Sequence, residues 1–299
     1  MTILSNIYTN GSLVTYQEWC SYIDTLRQNN IVNNEEEANS LIRPAFEQAV
    51  QKRLPKKRFG ILFSGGIDST LIAFTCKKFT ENFICYTVGL KGSKDIESSS
   101  KVAEKLGLTH KIKTLSLREA ENVFEKTAKI LGKDLINIVN LGVGSVELAA
   151  IHLAHEDSID ILFSGLGSEE IFAGYQRHEK ATDINQECWN GLKSMWQRDF
   201  KRDYALATAE QVTFLTPFLD RQLIIAAMRV DANLKIHLPH KKYILRKMAL
   251  KLGLTEDICF RPKSAAQYGS SVDKAISKLA KSKGFKYKKE YLSFLISST

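Results

Sequence analysis

No two cysteines in this chain form a C-x-x-C pair, and the five present (Cys20, Cys76, Cys85, Cys188 and Cys259) are odd in number and scattered. That argues against a disulfide framework and against a zinc ribbon. The expectation is reduced, mostly buried thiols in a cytoplasmic protein. No apolar run approaches the ~20 residues that a bilayer-spanning helix needs, so no membrane partner is expected. The N-terminus lacks the basic, apolar, small-residue succession of a signal peptide. No internal repeat and no low-complexity linker is present. No G-K-[ST] accompanies the Gly65-Gly66 turn, so a Walker phosphate loop is excluded.

What is present is ordinary in bulk: 299 residues, 44% hydrophobic and 25% charged, a soluble globular composition with room for one large domain or two smaller ones. The net charge is +9, which raises the question of an anionic partner. Much of the excess is local. Lys274, Lys278, Lys281, Lys283, Lys286, Lys288 and Lys289 crowd the stretch from Asp273 to Glu290. A solvated helix face is the expected reading, with nucleic-acid contact through this tail the weaker one.

Residues 1–39 are polar and punctuated, and read as a small N-terminal appendage with one helix near Thr15 to Gln28. Residues 40–299 read as the main domain. Leu41, Ile42, Ala45, Phe46, Ala49 and Val50 predict a helix over Ser40 to Leu54, stopped by Pro55. Short apolar runs follow at Phe59 to Phe63, Phe83 to Val88 and Ile159 to Phe163. Helical patterns intervene at Ser69 to Phe79, Glu97 to Leu106, Leu117 to Leu131 and Val146 to His155. Strands alternating with helices predict an α/β fold, a parallel sheet sandwiched by helices. From about Asn185 the pattern is mainly helical.

The run Phe59 to Phe63 leads directly into Ser64-Gly65-Gly66-Ile67-Asp68-Ser69-Thr70. A strand, a glycine turn and a helix start gather unpaired N–H groups around one point, which is an anion site. Gly65 and Gly66 permit close backbone approach, and Ser64 and Ser69 add hydroxyls. Asp68 would repel a phosphate unless a hard cation such as Mg²⁺ lay between them.

This loop resembles that of the N-type ATP pyrophosphatases, which cleave ATP between the α- and β-phosphates. Further motifs follow in order: Tyr86-Thr87-Val88-Gly89-Leu90, Gly92-Ser93-Lys94-Asp95, Ser164-Gly165-Leu166-Gly167-Ser168-Glu169-Glu170 running on to Gly174-Tyr175, Thr216-Pro217-Phe218-Leu219-Asp220, Lys242-Tyr243-Ile244-Leu245-Arg246 and Arg261-Pro262-Lys263. Together they resemble the synthetase domain of the asparagine synthetase family, which includes β-lactam-forming relatives. The resemblance implies an adenine nucleotide alpha hydrolase-like fold and a ligase that activates a carboxylate as an acyl-adenylate with ATP and Mg²⁺. It implies backbone contacts to adenine from Leu62 and Val88. Ser64, Gly65, Gly66 and Ser69 would hold the pyrophosphate part, with Ser164 and Gly165 at the ribose and α-phosphate. Asp68 and Glu169 would bind the metal, and Lys242 would stabilise charge on the leaving pyrophosphate. Arg261, Lys263 and Glu170 would supply further substrate or pyrophosphate contacts.

Three departures qualify that picture. Thr2 follows Met1, and only about 40 residues precede the synthetase motifs, too few for the glutaminase domain such synthetases usually carry. Free ammonia, another amine, or a separate glutaminase subunit is then the expected nitrogen source. Leu166 stands where the family has a glutamate, and Glu169 where it has an aspartate. Ile136 and Val139 lie where asparagine synthetases place the hydroxyl and arginine groups that hold aspartate. The alternatives are a tRNA-modifying ATP pyrophosphatase and a non-catalytic nucleotide-binding protein of the same fold.

Overall fold

The structure is a computed structural model and describes residues 8–9, 12–261 and 265–297. Among them, five strands form one all-parallel sheet: β1 (Phe59–Leu62), β2 (Phe83–Leu90), β3 (His110–Leu115), β4 (Ile161–Phe163) and β5 (Thr213–Leu215). The spatial order is β3-β2-β1-β4-β5. The expected α/β sandwich with a mainly helical second half is therefore present. β3 and β5 lack the apolar run that marked the others. β3 alternates Lys111 and Lys113 with Ile112, and as an edge strand it needs charge rather than a second buried face. β5 has only three residues, of which Phe214 and Leu215 are buried.

The helices of the first half are α1 (Tyr16–Thr25), α2 (Glu35–Gln51), α3 (Ile67–Lys77), α4 (Lys94–Leu106), α5 (Leu117–Leu135) and α6 (Ile138–His155). α2 begins five residues ahead of its apolar stripe, at Glu35 rather than Ser40. Asn34 Oδ1 accepts from the N–H groups of Glu36 and Glu37 at 2.9 and 3.1 Å, and three glutamates then favour the positive helix start. The expected boundary after residue 39 thus falls inside a helix. α1 buries Trp19 and Ile23, and the Trp19 indole donates to the Leu192 carbonyl at 2.8 Å.

One core packs α2, α3 and the helices Arg221–Met228 and Tyr243–Leu252 beneath the sheet. A second packs α6 on the opposite face through Leu148, Ile151 and Leu153. α6 is the one described helix long and apolar enough to cross a membrane, yet 61% of it is buried inside the protein. Four of the five cysteines are buried and Cys20 is partly so, as expected. The lysine-rich segment forms helices Val272–Ser282 and Lys288–Ser297 against α5. Lys283 pairs with Glu121 at 2.6 Å and Lys288 with Asp273 at 2.5 Å, so part of the tail's charge is already answered.

Lys235 is a buried cation with no carboxylate among the described residues within ion-pair distance, although Asp231 and Asp183 lie near enough to offset part of its desolvation. Lys235 is fully buried, and its ammonium rests against the Met228 sulfur at 3.7 Å. Burial pushes its pKa down. Desolvating an ammonium without a carboxylate partner is unfavourable. Lys235→Met is expected to raise the unfolding free energy by about 1–3 kcal/mol, measured by urea titration. A loss of stability would show that the ammonium is better satisfied than this environment suggests.

Candidate active site

The sheet order reverses between β1 and β4, and in open parallel sheets ligands bind at such a point, beyond the carboxyl ends of the strands. Gly60 lies opposite Leu162 and Ile61 opposite Phe163. The segments leaving β1 and β4, Ser64 onward and Ser164 onward, are therefore neighbours. Gly65 has φ +66°, and a Cβ there would lie 2.8 Å from the backbone nitrogen of Ser99 on α4. Only glycine serves both the turn and the close approach. Gly66 starts α3 with no side-chain cap, so its first N–H groups stay open to an anion. The Gly66 N–H donates to Ser64 Oγ, and the Ser64 N–H to Ser69 Oγ, each at 3.3 Å.

Behind the loop the buried ammonium of Lys242 gathers four oxygen atoms from three residues. It lies 2.8 Å from both Asp68 carboxylate oxygens and 2.9 Å from Ser168 Oγ. Glu169 Oε1 is also 2.9 Å away. Lys242 holds this position with φ 54° and ψ 34°, a left-handed conformation that costs a non-glycine residue roughly 1 kcal/mol or more. The all-oxygen donor set of Asp68 and Glu169 suits a hard cation such as Mg²⁺. The ammonium stands between the two carboxylates, so a metal shared by both requires Lys242 to withdraw. Arg261 reaches the same loop from the C-terminal half, donating to the Gly65 carbonyl at 2.6 Å and to Ser98 Oγ.

These elements border a cleft of about 360 Å³. Leu62, Ser64, Asp68, Ser69, Val88, Ser164, Gly165 and Glu169 all line it. Lys242 sits behind Asp68, and Gly65 and Gly66 form the turn beneath. Glu170 is not on the wall. It is buried and paired with Arg198, and burial with the nearby Asp199 charge pushes its pKa up to about 7. Lys263 lies outside the described residues. Val139 does reach the wall, whereas Ile136 packs with the C-terminal helices. Asp220 is structural: it caps the helix Arg221–Met228 and binds Arg53 at 2.9 Å.

Sequence reasoning missed one side of the cleft, made by Glu147, Arg198, Asp199 and Arg202, and assigned no role to Tyr175, which lines the wall. Arg202 contacts Asp203 at 2.6 Å, Glu147 at 3.3 Å and Asp199 at 3.4 Å. Arg198 contacts Asp199 at 2.7 Å. The available signal was the doubled Arg-Asp at 198–199 and 202–203, four residues apart and so on one helix face. A single wide π turn, Trp196–Phe200, carries Arg198 and Asp199, and such turns recur at functional sites.

Tyr175 is fixed from behind by His178, whose Nδ1 accepts from the Tyr175 N–H at 3.1 Å. His178 is fully buried, and burial lowers its pKa from 6.5 to about 4. The folded state therefore binds fewer protons than the unfolded state between those values. This contribution to stability is complete above pH 6.5 and is lost as pH falls toward 4. At about 1.4 kcal/mol per pH unit, His178 should account for roughly 3 kcal/mol of acid destabilisation. His178→Gln should flatten the urea midpoint between pH 7 and 4.5; an unchanged slope would assign the loss to other groups.

A family model described as asparagine synthase matches residues 41–189 and 178–289. A chain of Methanocaldococcus jannaschii that bears the name of a glutamine-hydrolysing asparagine synthetase is 30% identical over 301 aligned positions, covering 87% of this chain and 55% of its own length. The glutamine-hydrolysing asparagine synthetase of Triphysaria versicolor is 29% identical, covering 69% of this chain and 38% of its own. The chain thus spans about half the length of the curated relatives it matches, or less. Among solved structures, the NH3-dependent NAD synthetase of Campylobacter jejuni is similar at TM-score 0.39 and 14% identity, over 90% of this chain and 95% of its own.

Proposed function

The chain belongs to the asparagine synthase family, and we propose that it activates a carboxylate with ATP as an acyl-adenylate, releasing pyrophosphate, and passes the acyl group to ammonia or another amine. The observation that carries this reading is the convergence of the uncapped α3 start and the Ser64–Ser69 loop on one cleft at the sheet's switch point, with the Lys242 ammonium directly behind Asp68 on its wall.

Leu62 and Val88 would flank the adenine from the ends of β1 and β2. The open N–H groups of the first turn of α3, beyond Gly66, with the Ser64 and Ser69 hydroxyls, would hold the pyrophosphate portion. Ser164 and Gly165 would meet the ribose and α-phosphate. Mg²⁺, entering with the nucleotide, would neutralise phosphate charge, with Asp68 and Glu169 as its protein ligands. Lys242, displaced from between those carboxylates, and Arg261, already at the Gly65 carbonyl, would stabilise the negative charge that grows on the leaving group. The amine reaches the acyl carbon from solution or from a separate glutaminase subunit.

The test is ATP–pyrophosphate exchange with Mg²⁺ and a panel of carboxylic acids, with tRNA, and with nothing added. Exchange that depends on an acid is the expected result. Exchange with tRNA alone would move the chain to nucleobase adenylation. ATP binding without any exchange would overturn the enzyme reading.

A further inference from the structure

The acid-binding end of the cleft has a chemistry unlike one built for a dicarboxylate. α6 presents Val139, Val143 and Val146 to it, residues spaced to share one helix face, and Leu166 faces the same space from the loop after β4. Arg202, the most deeply buried cation beside it, has all three guanidinium nitrogens against carboxylates of this chain: Nε on Asp203 at 2.8 Å, Nη1 on Asp199 at 3.4 Å and Nη2 on Asp203 at 2.6 Å. Arg198 turns Nε to Asp199 at 2.9 Å and Nη2 to Glu170.

The balance of charge points the other way. Four carboxylates (Glu147, Glu170, Asp199 and Asp203) share two guanidinium groups. The Glu147 Oε2 atom is enclosed without a hydrogen-bond partner, although it touches Arg202 at 3.3 Å. Burial pushes the Glu147 and Asp203 carboxyls up, Arg202 opposes that, and the neighbouring Asp199 charge adds to it. Glu147 and Asp199 are the two acids of this group on the cleft wall. An arriving ammonium would complete the ion set, whereas a second carboxylate would meet apolar side chains and acids already deficient in cations.

We propose that the acid taken by this cleft is an aliphatic amino acid, its ammonium held by Glu147 and Asp199 and its side chain by Val139, Val143 and Val146, in place of a dicarboxylic acid. This rests on reading the chain as an acid-activating synthetase.

Calorimetry with α,β-methylene ATP and Mg²⁺ present separates the two questions. Norvaline is expected to bind at least about tenfold more tightly than either aspartate or valerate. Glu147→Gln should remove that advantage over valerate, and Val143→Arg should weaken norvaline while improving aspartate. Val143→Arg serves as the readout if Glu147→Gln does not fold. Aspartate or valerate binding as tightly as norvaline, or no binding of norvaline, overturns the proposal. Norvaline binding without pyrophosphate exchange would leave the pocket's selectivity standing and overturn adenylation.

Discussion

Gly174→Ala is expected to abolish AMP formation and to destabilise the fold by about 1–3 kcal/mol. A Cβ at this position would lie 1.7 Å from Glu169 Oε2 and 2.3 Å from Lys242 Cε. Glycine is needed for space here and not for its backbone freedom, since the positive φ falls on the preceding Ala173 at 55°. Both obstructing atoms belong to side chains, but neither side chain is free to swing. Lys242 is held by Asp68 and Ser168, and Glu169 is held by Lys242. The methyl group must therefore break the knot behind the phosphate loop. Loss of one such positioned charge costs about a hundredfold or more in kcat, and here two move together. Glu169→Asp shortens the carboxylate by one methylene and draws it back from the new methyl group. The double variant should recover stability relative to Gly174→Ala alone, a coupling that a double-mutant cycle measures directly. Stability of the single variant equal to the parent would mean that the knot is looser than these distances allow.

How much of this was legible in the sequence differs between the two walls of the cleft. The phosphate loop is local: a strand, two glycines and two serines within seven residues specify their own geometry, and the turn formed where it was expected. The lysine was legible only through the resemblance, because nothing near Lys242 in sequence indicates that it will meet Asp68, 174 positions away. The charged wall left only the doubled Arg-Asp at 198–199 and 202–203 in the sequence, and nothing to say that it would meet Glu147 or face the cleft. Glu147 is the one acid of α6, and its partner Arg202 lies in the stretch that read only as helical. No local pattern states which acid a buried arginine will meet; packing of α6 against the later helix decides it. β3 and β5 escaped for the opposite reason. Edge strands bury little, so their sequences carry little of the apolar signal by which strands are found. Glu170 is the reverse case: the resemblance implied a substrate or pyrophosphate contact, whereas its side chain is buried against Arg198, off the cleft wall.

Lys242→Met should be the most damaging single change in the protein. It removes the ammonium that both Asp68 and Glu169 contact, in a site where Asp68 is only 6% exposed. Removing one member of a buried ion cluster strands the others, at a cost of about 3–5 kcal/mol, well above the roughly 1 kcal/mol expected for a surface pair. Methionine approximates the volume of the lysine stem, so the loss reports charge more than packing. The left-handed backbone at Lys242 contributes nothing to the difference, because methionine inherits it. Activity should vanish in the same variant, since the cation proposed to follow the leaving pyrophosphate is gone. Asp68→Asn combined with Lys242→Met then separates the two roles. With one negative charge removed, urea titration should show much of the stability restored, while AMP formation stays at background. Recovery of turnover in that double variant would mean that the ammonium serves only to hold the fold, and that charge on the departing phosphates is met by Arg261 and the α3 N–H groups alone.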